Sequence, residues 1–146
     1  MNRVEFRCED VPPPPWTAAA GRFVKKVLKE LGIKNWELSV LFCGNRFIKS
    51  LNGKFRNKDE ATDVLSFPLG ETGPGGRYLA GDIVVSLDAL EENARFFRVQ
   101  ADEELRRLLV HGILHLAGEE HTTNNRDEPM LKKQEELLSL VAEKIL

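Results

Sequence analysis

Cysteine is scarce in this chain, with Cys8 and Cys43 the only two. Two thiols are too few for a disulfide framework, so a reducing, cytoplasmic setting is expected. Long apolar runs are missing as well. None approaches the roughly 20 residues that a bilayer-crossing helix needs, so no membrane partner is expected. The N-terminal MNRVEFRCEDVPPPP has no apolar stretch followed by a small-residue cleavage site, and a secretory signal is not expected. Internal repeats and low-complexity linkers are absent too. What remains is 146 residues, 42% hydrophobic and 30% charged, which fits one globular domain over 1–146.

A large charge of one sign is also lacking, since the formal net charge is only −2. The balance is uneven along the chain. Residues 1–70 hold 12 Lys+Arg against 8 Asp+Glu, and residues 71–146 hold 9 against 15. Nucleic-acid binding would therefore need local positive charge. The densest basic stretch is RFIKSLNGKFRNK, carrying Arg46, Lys49, Lys54, Arg56 and Lys58 with no acidic residue.

Periodicity gives a coarse outline. Alternating Val4, Phe6 and Cys8 predict a short strand. The prolines Pro12–Pro15 read as a stiff lead-in to a helix marked by Trp16, Phe23, Val24, Val27, Leu28 and Leu31, which Gly32 stops. WELSVLFC, residues 36–43, predicts a strand, and residues 45–56 a helix. TDVLSF, from Thr62, predicts a strand closed by Pro68, followed by a glycine-rich loop over 70–76. Gly81-Asp82 should open a fourth strand, IVVS. Ser86 is placed to cap a helix to about Arg98, and Asp102 to cap the next. That next helix, LRRLLVHGILHLAG, is apolar nearly all round, as a helix in the middle of a domain is. Met130, Leu137, Leu138, Val141 and Ile145 should stripe a last helix. Four strands and about five helices in mixed order predict an α+β domain, with helices packed on a small mixed sheet.

All three histidines fall within HGILHLAGEEH. His111 and His115 are four apart, so they share one face of the buried helix. Gly118 then permits a tight reversal that brings His121 toward them. Three imidazoles on one ion leave a fourth position open for water, as in a catalytic rather than a closed structural zinc site. A thiol could close such a site, although Cys43, ending an apolar strand, reads as a small buried hydrophobe. The spacing also matches the metzincin protease pattern, except that Gly112 stands where that pattern has its general-base glutamate.

Three blocks of the chain together resemble one family. LNGKFRNKDEATDVLSFP (Leu51 to Pro68), AGDIVVS (Ala80 to Ser86) and HGILHLAGEEH are similar, in this order, to motifs of the YbeY-type single-strand endoribonucleases. The resemblance implies a zincin-like α+β domain with a metal site on a buried central helix. It implies cleavage of single-stranded RNA in 16S rRNA 3′-end maturation and ribosome quality control. His111, His115 and His121 would hold one zinc per chain, other divalent ions being alternatives, and Arg56 matches the family's functionally important arginine. Two positions depart from the pattern. Glu120 replaces an aspartate before the third histidine, and Ala80 replaces a leucine.

The residues themselves agree with a polyanionic substrate. Arg56 can fork onto two phosphate oxygens, which lysine cannot do. Arg46, Lys49, Lys54 and Lys58 could line a groove for the RNA backbone, and Phe55 or Tyr78 could stack a base. Arg56 could instead pair with Asp59 or Glu60, and Asp82 could support a histidine from behind. Two other functions stay open. One is a zinc metallopeptidase using Glu119 or Glu120 as a displaced base. The other is an assembly factor that binds rRNA or the small ribosomal subunit around a structural metal.

Overall fold

The structure, a computed structural model, describes residues 1–57, 62–121 and 123–146. Its elements run β1 (Arg3–Glu9), α1 (Thr17–Glu30), β2 (Trp36–Cys43), α2 (Asn45–Arg56), β3 (Val64–Thr72), β4 (Tyr78–Ser86), α3 (Leu87–Phe97), α4 (Ala101–Leu116) and α5 (Pro129–Leu140), with a short 3₁₀ turn at Pro74–Gly76. The sheet order is β1-β2-β4-β3. β1, β2 and β4 are parallel, and β3 runs antiparallel on the edge beside β4. This is the α+β arrangement with a mixed four-stranded sheet that the periodicity predicts.

Strand alternation divides the apolar residues between two faces. Leu38, Val40, Phe42, Ile83 and Val85 join the main core with Phe23, Val24 and Val27 of α1 and Leu105, Leu109 and Ile113 of α4. On the other face Leu65, Val84 and Cys43 pack with Ile48 of α2. Cys43 is fully buried. Burial, reinforced by Asp10 and Asp88, pushes its thiol up to about 12, so it is an inert hydrophobe here.

Five expectations need correction. β3 does not stop at Pro68 but continues to Thr72, because an edge strand tolerates a proline that donates nothing to the ladder. The supposed glycine-rich loop is therefore mostly the end of a hairpin, closed by the 3₁₀ turn. Gly81 lies inside β4, beside a shift in the β3–β4 register between Pro68 and Glu71. Asp102 does not cap α4. The cap position is Gln100, and Asp102 is the second residue of the helix, where its Oδ1 accepts from the backbone N–H groups of Ile145 (2.7 Å) and Leu146 (2.9 Å). The last helix accordingly ends at Leu140. Val141 and Ile145 are still buried, on an irregular tail anchored by that carboxylate instead of by helical hydrogen bonds. Ser86 caps α3 as expected, accepting from Ala89 N–H at 3.2 Å.

Candidate metal centre

α4 is buried at Leu105, Leu108, Leu109, Gly112, Ile113 and Leu116. That leaves one half-buried stripe on which His111 and His115 sit a single turn apart. Gly112 is what lets the stripe lie so close to the sheet. A Cβ built on it would stand 2.7 Å from the Ile83 side chain, closer than atoms approach. A larger residue at this position would force the Ile83 side chain to shift, and the chain has no glutamate there to serve as the metzincin general base. The helix ends at Leu116, and Gly118, with φ at +93°, takes the left-handed turn that returns the chain as His121.

The three imidazoles come together, with one ring nitrogen of each within 4.8 Å of the others. His111 Nε2 and His115 Nε2 are 3.0 Å apart. Two nitrogens bound tetrahedrally to one zinc would be about 3.3 Å apart, given Zn–N bonds of about 2.05 Å. The far sides of the rings are already committed. His111 Nδ1 lies 2.7 Å from Gln134 Oε1, and His121 Nδ1 lies 2.7 Å from the Thr123 carbonyl. Both acceptors fix the tautomer in which Nδ1 carries the proton and Nε2 presents a lone pair. The His115 ring bonds the Glu119 backbone. Burial lowers the proton affinity of His111 and His115; His121 further disfavours the cation at His111, and His111 and His121 do so at His115. Converging neutral imidazoles of this kind are a donor set that fits a divalent cation.

A cavity of about 290 Å³ opens over the cluster, lined by His111, His115, His121, Arg56, Glu120 and residues of β3. Arg56, at the end of α2, reaches the edge strand, where its Nη2 donates to the Ser66 carbonyl at 2.7 Å. Its guanidinium lies 5.7 Å from the Phe67 ring centroid.

None of the other described sequence candidates except Glu120 lines this cavity. Arg46, Lys49 and Lys54 lie exposed on α2. Lys58, with Asp59 and Glu60, is outside the described residues. Phe55 is exposed and meets Phe67 edge-on, whereas Tyr78 stacks on Trp36. Asp82 is exposed and paired with Ser39, so it does not support a histidine. Glu119 pairs with Lys133 at 2.8 Å, leaving Glu120 as the glutamate of the two that faces the cavity.

Sequence reasoning missed Gln134 and Ser66. Gln134 is buried on α5, one turn after Met130 on the apolar stripe. An amide at that position is the signal that could have marked it. Asp63 supports His111 from a distance: its charge favours the imidazolium. Its carboxylate accepts from Asn93 at 3.0 Å.

Fold and site thus define an α+β domain with a three-histidine cluster that could hold a metal ion and an arginine lining the same cavity. The family model for Endoribonuclease YbeY matches residues 4–142. The Endoribonuclease YbeY of Treponema denticola is 53% identical over 143 residues, covering 94% of this chain and 92% of that protein. The Treponema pallidum protein of the same name is 44% identical, covering 95% and 89%. A solution structure from Thermotoga maritima superposes with a TM-score of 0.66 at 30% identity, covering 97% of this chain and 89% of that one. The chain belongs to the YbeY endoribonuclease family.

Proposed function

We propose that this chain is a zinc-dependent endoribonuclease that cleaves single-stranded RNA at the 3′ end of 16S rRNA, working in the cytoplasm with the small ribosomal subunit and contributing to ribosome quality control. One observation carries the reading. Three imidazoles with converging lone pairs face an arginine across one cavity. His111, His115 and His121 would hold one zinc per chain, and the span 1–146 would work as one domain. When bound, zinc supplies a Lewis acid and an activated water at the phosphate.

The remaining steps belong to the chain itself. The Ser66 carbonyl fixes one Nη of Arg56, so the rest of the guanidinium is free to fork onto two phosphate oxygens and to stabilise charge as it develops there. Gln134 and the Thr123 carbonyl hold the rings of His111 and His121 in one orientation. Arg46, Lys49, Lys54 and Lys58 would extend the positive surface along the RNA backbone away from the cavity. In support, no helix among the described residues is long and apolar enough to cross a membrane. The peptidase alternative loses ground because the family model and the relatives are endoribonucleases, and of its two displaced-base candidates Glu119 is paired with Lys133, leaving Glu120.

The test is cleavage of a labelled single-stranded RNA carrying a small-subunit 3′ segment. Zinc-loaded protein, metal-free protein and zinc-treated His115→Ala are compared. Cleavage by the loaded wild type alone supports the reading. No cleavage, or equal cleavage by all three, overturns it.

A further inference from the structure

Val64, Leu65, Ser66 and Pro68 of β3 line the histidine cavity, and Val64 and Ser66 pair with Val85 and Ile83, so they share the sheet face that packs against α4. Ser66 is 6% exposed, and its Oγ finds no hydrogen-bond partner among the described residues. No other buried side-chain oxygen or nitrogen among those residues is left in this state. Native folds bond their buried hydroxyls, and an orphan is destabilising unless something else is gained from it. The gain is suggested by where it lies. The same residue's carbonyl holds Arg56, so Oγ and the guanidinium are fixed on one short piece of edge strand.

The chemistry of the lining decides which way the hydroxyl works. The imidazole lone pairs and the Glu120 carboxylate are acceptors, and Arg56 is purely a donor. An anion between Arg56 and the histidines carries more lone pairs than one guanidinium can satisfy. A hydroxyl that turns its hydrogen toward that anion makes a charge-assisted bond, the stronger kind.

We propose that Ser66 Oγ donates a hydrogen bond to a non-bridging oxygen of the scissile phosphate, beside Arg56. Ser66 then acts in two ways: its main chain positions the guanidinium, and its side chain contacts the same anion. This inference rests on the nuclease reading above.

Ser66→Ala removes the hydroxyl and leaves the carbonyl. The expected result is a kcat lower by about 10- to 100-fold, with zinc content unchanged. The melting temperature should stay level or rise, because an unbonded buried oxygen has gone. A purely structural serine would give the opposite, a lower melting temperature. The contact itself is read with RNAs in which sulfur replaces each non-bridging oxygen of the scissile linkage in turn. For one of the two, sulfur should slow the wild type and make little further difference in Ser66→Ala. Equal kcat in wild type and variant, sulfur effects that are the same in both proteins, or activity lost in step with melting temperature would overturn the proposal. A zinc-loaded wild type that cleaves no RNA overturns the nuclease reading and this inference with it. A wild type that cleaves no faster than Ser66→Ala overturns the inference alone.

Discussion

The two ends of α4 treat their polar side chains in opposite ways. In the N-terminal half every charge is closed. Arg107 meets Glu104 and Glu103 at 3.2 Å each and Glu135 at 3.0 Å, and Arg106 meets Asp102 at 3.0 Å. Glu104 also accepts from Asn93 at 3.4 Å. In the C-terminal half His111 and His115 turn ring nitrogens toward each other, and Ser66, whose buried hydroxyl has no partner among the described residues, lines the same cavity. Size would point to the wrong end. The cavity beside Arg107, Glu104 and Glu135 holds about 510 Å³, against about 290 Å³ over the histidines. A network whose donors and acceptors already match one another holds the fold together; a cluster left incomplete is where a cation and an anion belong.

Breaking one member at each end should separate the two roles. Arg56→Ala should lower kcat by about 10²–10³-fold, the usual cost of removing a donor aimed at developing charge, with zinc content and melting temperature unchanged. Arg107→Met should do the reverse. It strands the buried Glu104 carboxylate without its cation and should cost roughly 2–3 kcal/mol in urea unfolding, while cleavage per folded molecule is retained. If Arg107→Met lost activity as steeply as Arg56→Ala, the division between the ends would fail.

Gln134 is where the two halves meet. Its Oε1 accepts a hydrogen bond from His111 Nδ1, and its Nε2 donates to Glu135, the partner of Arg107. Gln134→Leu keeps the packing of a residue that is 6% exposed and removes the acceptor. Zinc should then bind about 10- to 100-fold more weakly, as happens when the group behind a ligating histidine is lost. Competition against a chromophoric chelator measures this directly. Unchanged affinity would mean that the closed network does nothing for the histidines.

Much of this was legible in the sequence because it is local. Helical spacing on an apolar helix places His111 beside His115, and Gly118 predicts the reversal to His121. Alternation and length place β2, α2 and α4. What could not be read depends on contacts distant in sequence. Nothing local says that β3 is an edge strand, so Pro68 looked like its end. Nothing near Asp102 says that residues 145 and 146 will return to it, so it looked like a cap. Gln134 and Ser66 matter only because α5 and β3 pack beside α4. The basic stretch shows a different limit. A count of positive charge treats Arg46, Lys49, Lys54 and Arg56 alike, but only Arg56, at the end of α2, reaches the histidine cavity.

The smallest effect expected is at the closed end. Burial alone would raise the Asp102 carboxyl, but the N–H groups of Leu146 and Ile145, with Arg106, outweigh it and hold it below its ordinary value of 3.8. A carboxylate depressed in this way contributes stability above its unfolded value. That contribution is lost as pH falls through the lower folded value. Asp102→Asn should therefore cost about 1–2 kcal/mol at pH 7 and at pH 5, and the gap to wild type should narrow at pH 3. Urea unfolding at these three pH values gives the curve. A gap as wide at pH 3 as at pH 7 would mean that the tail is held by the shape of residue 102 and not by its charge.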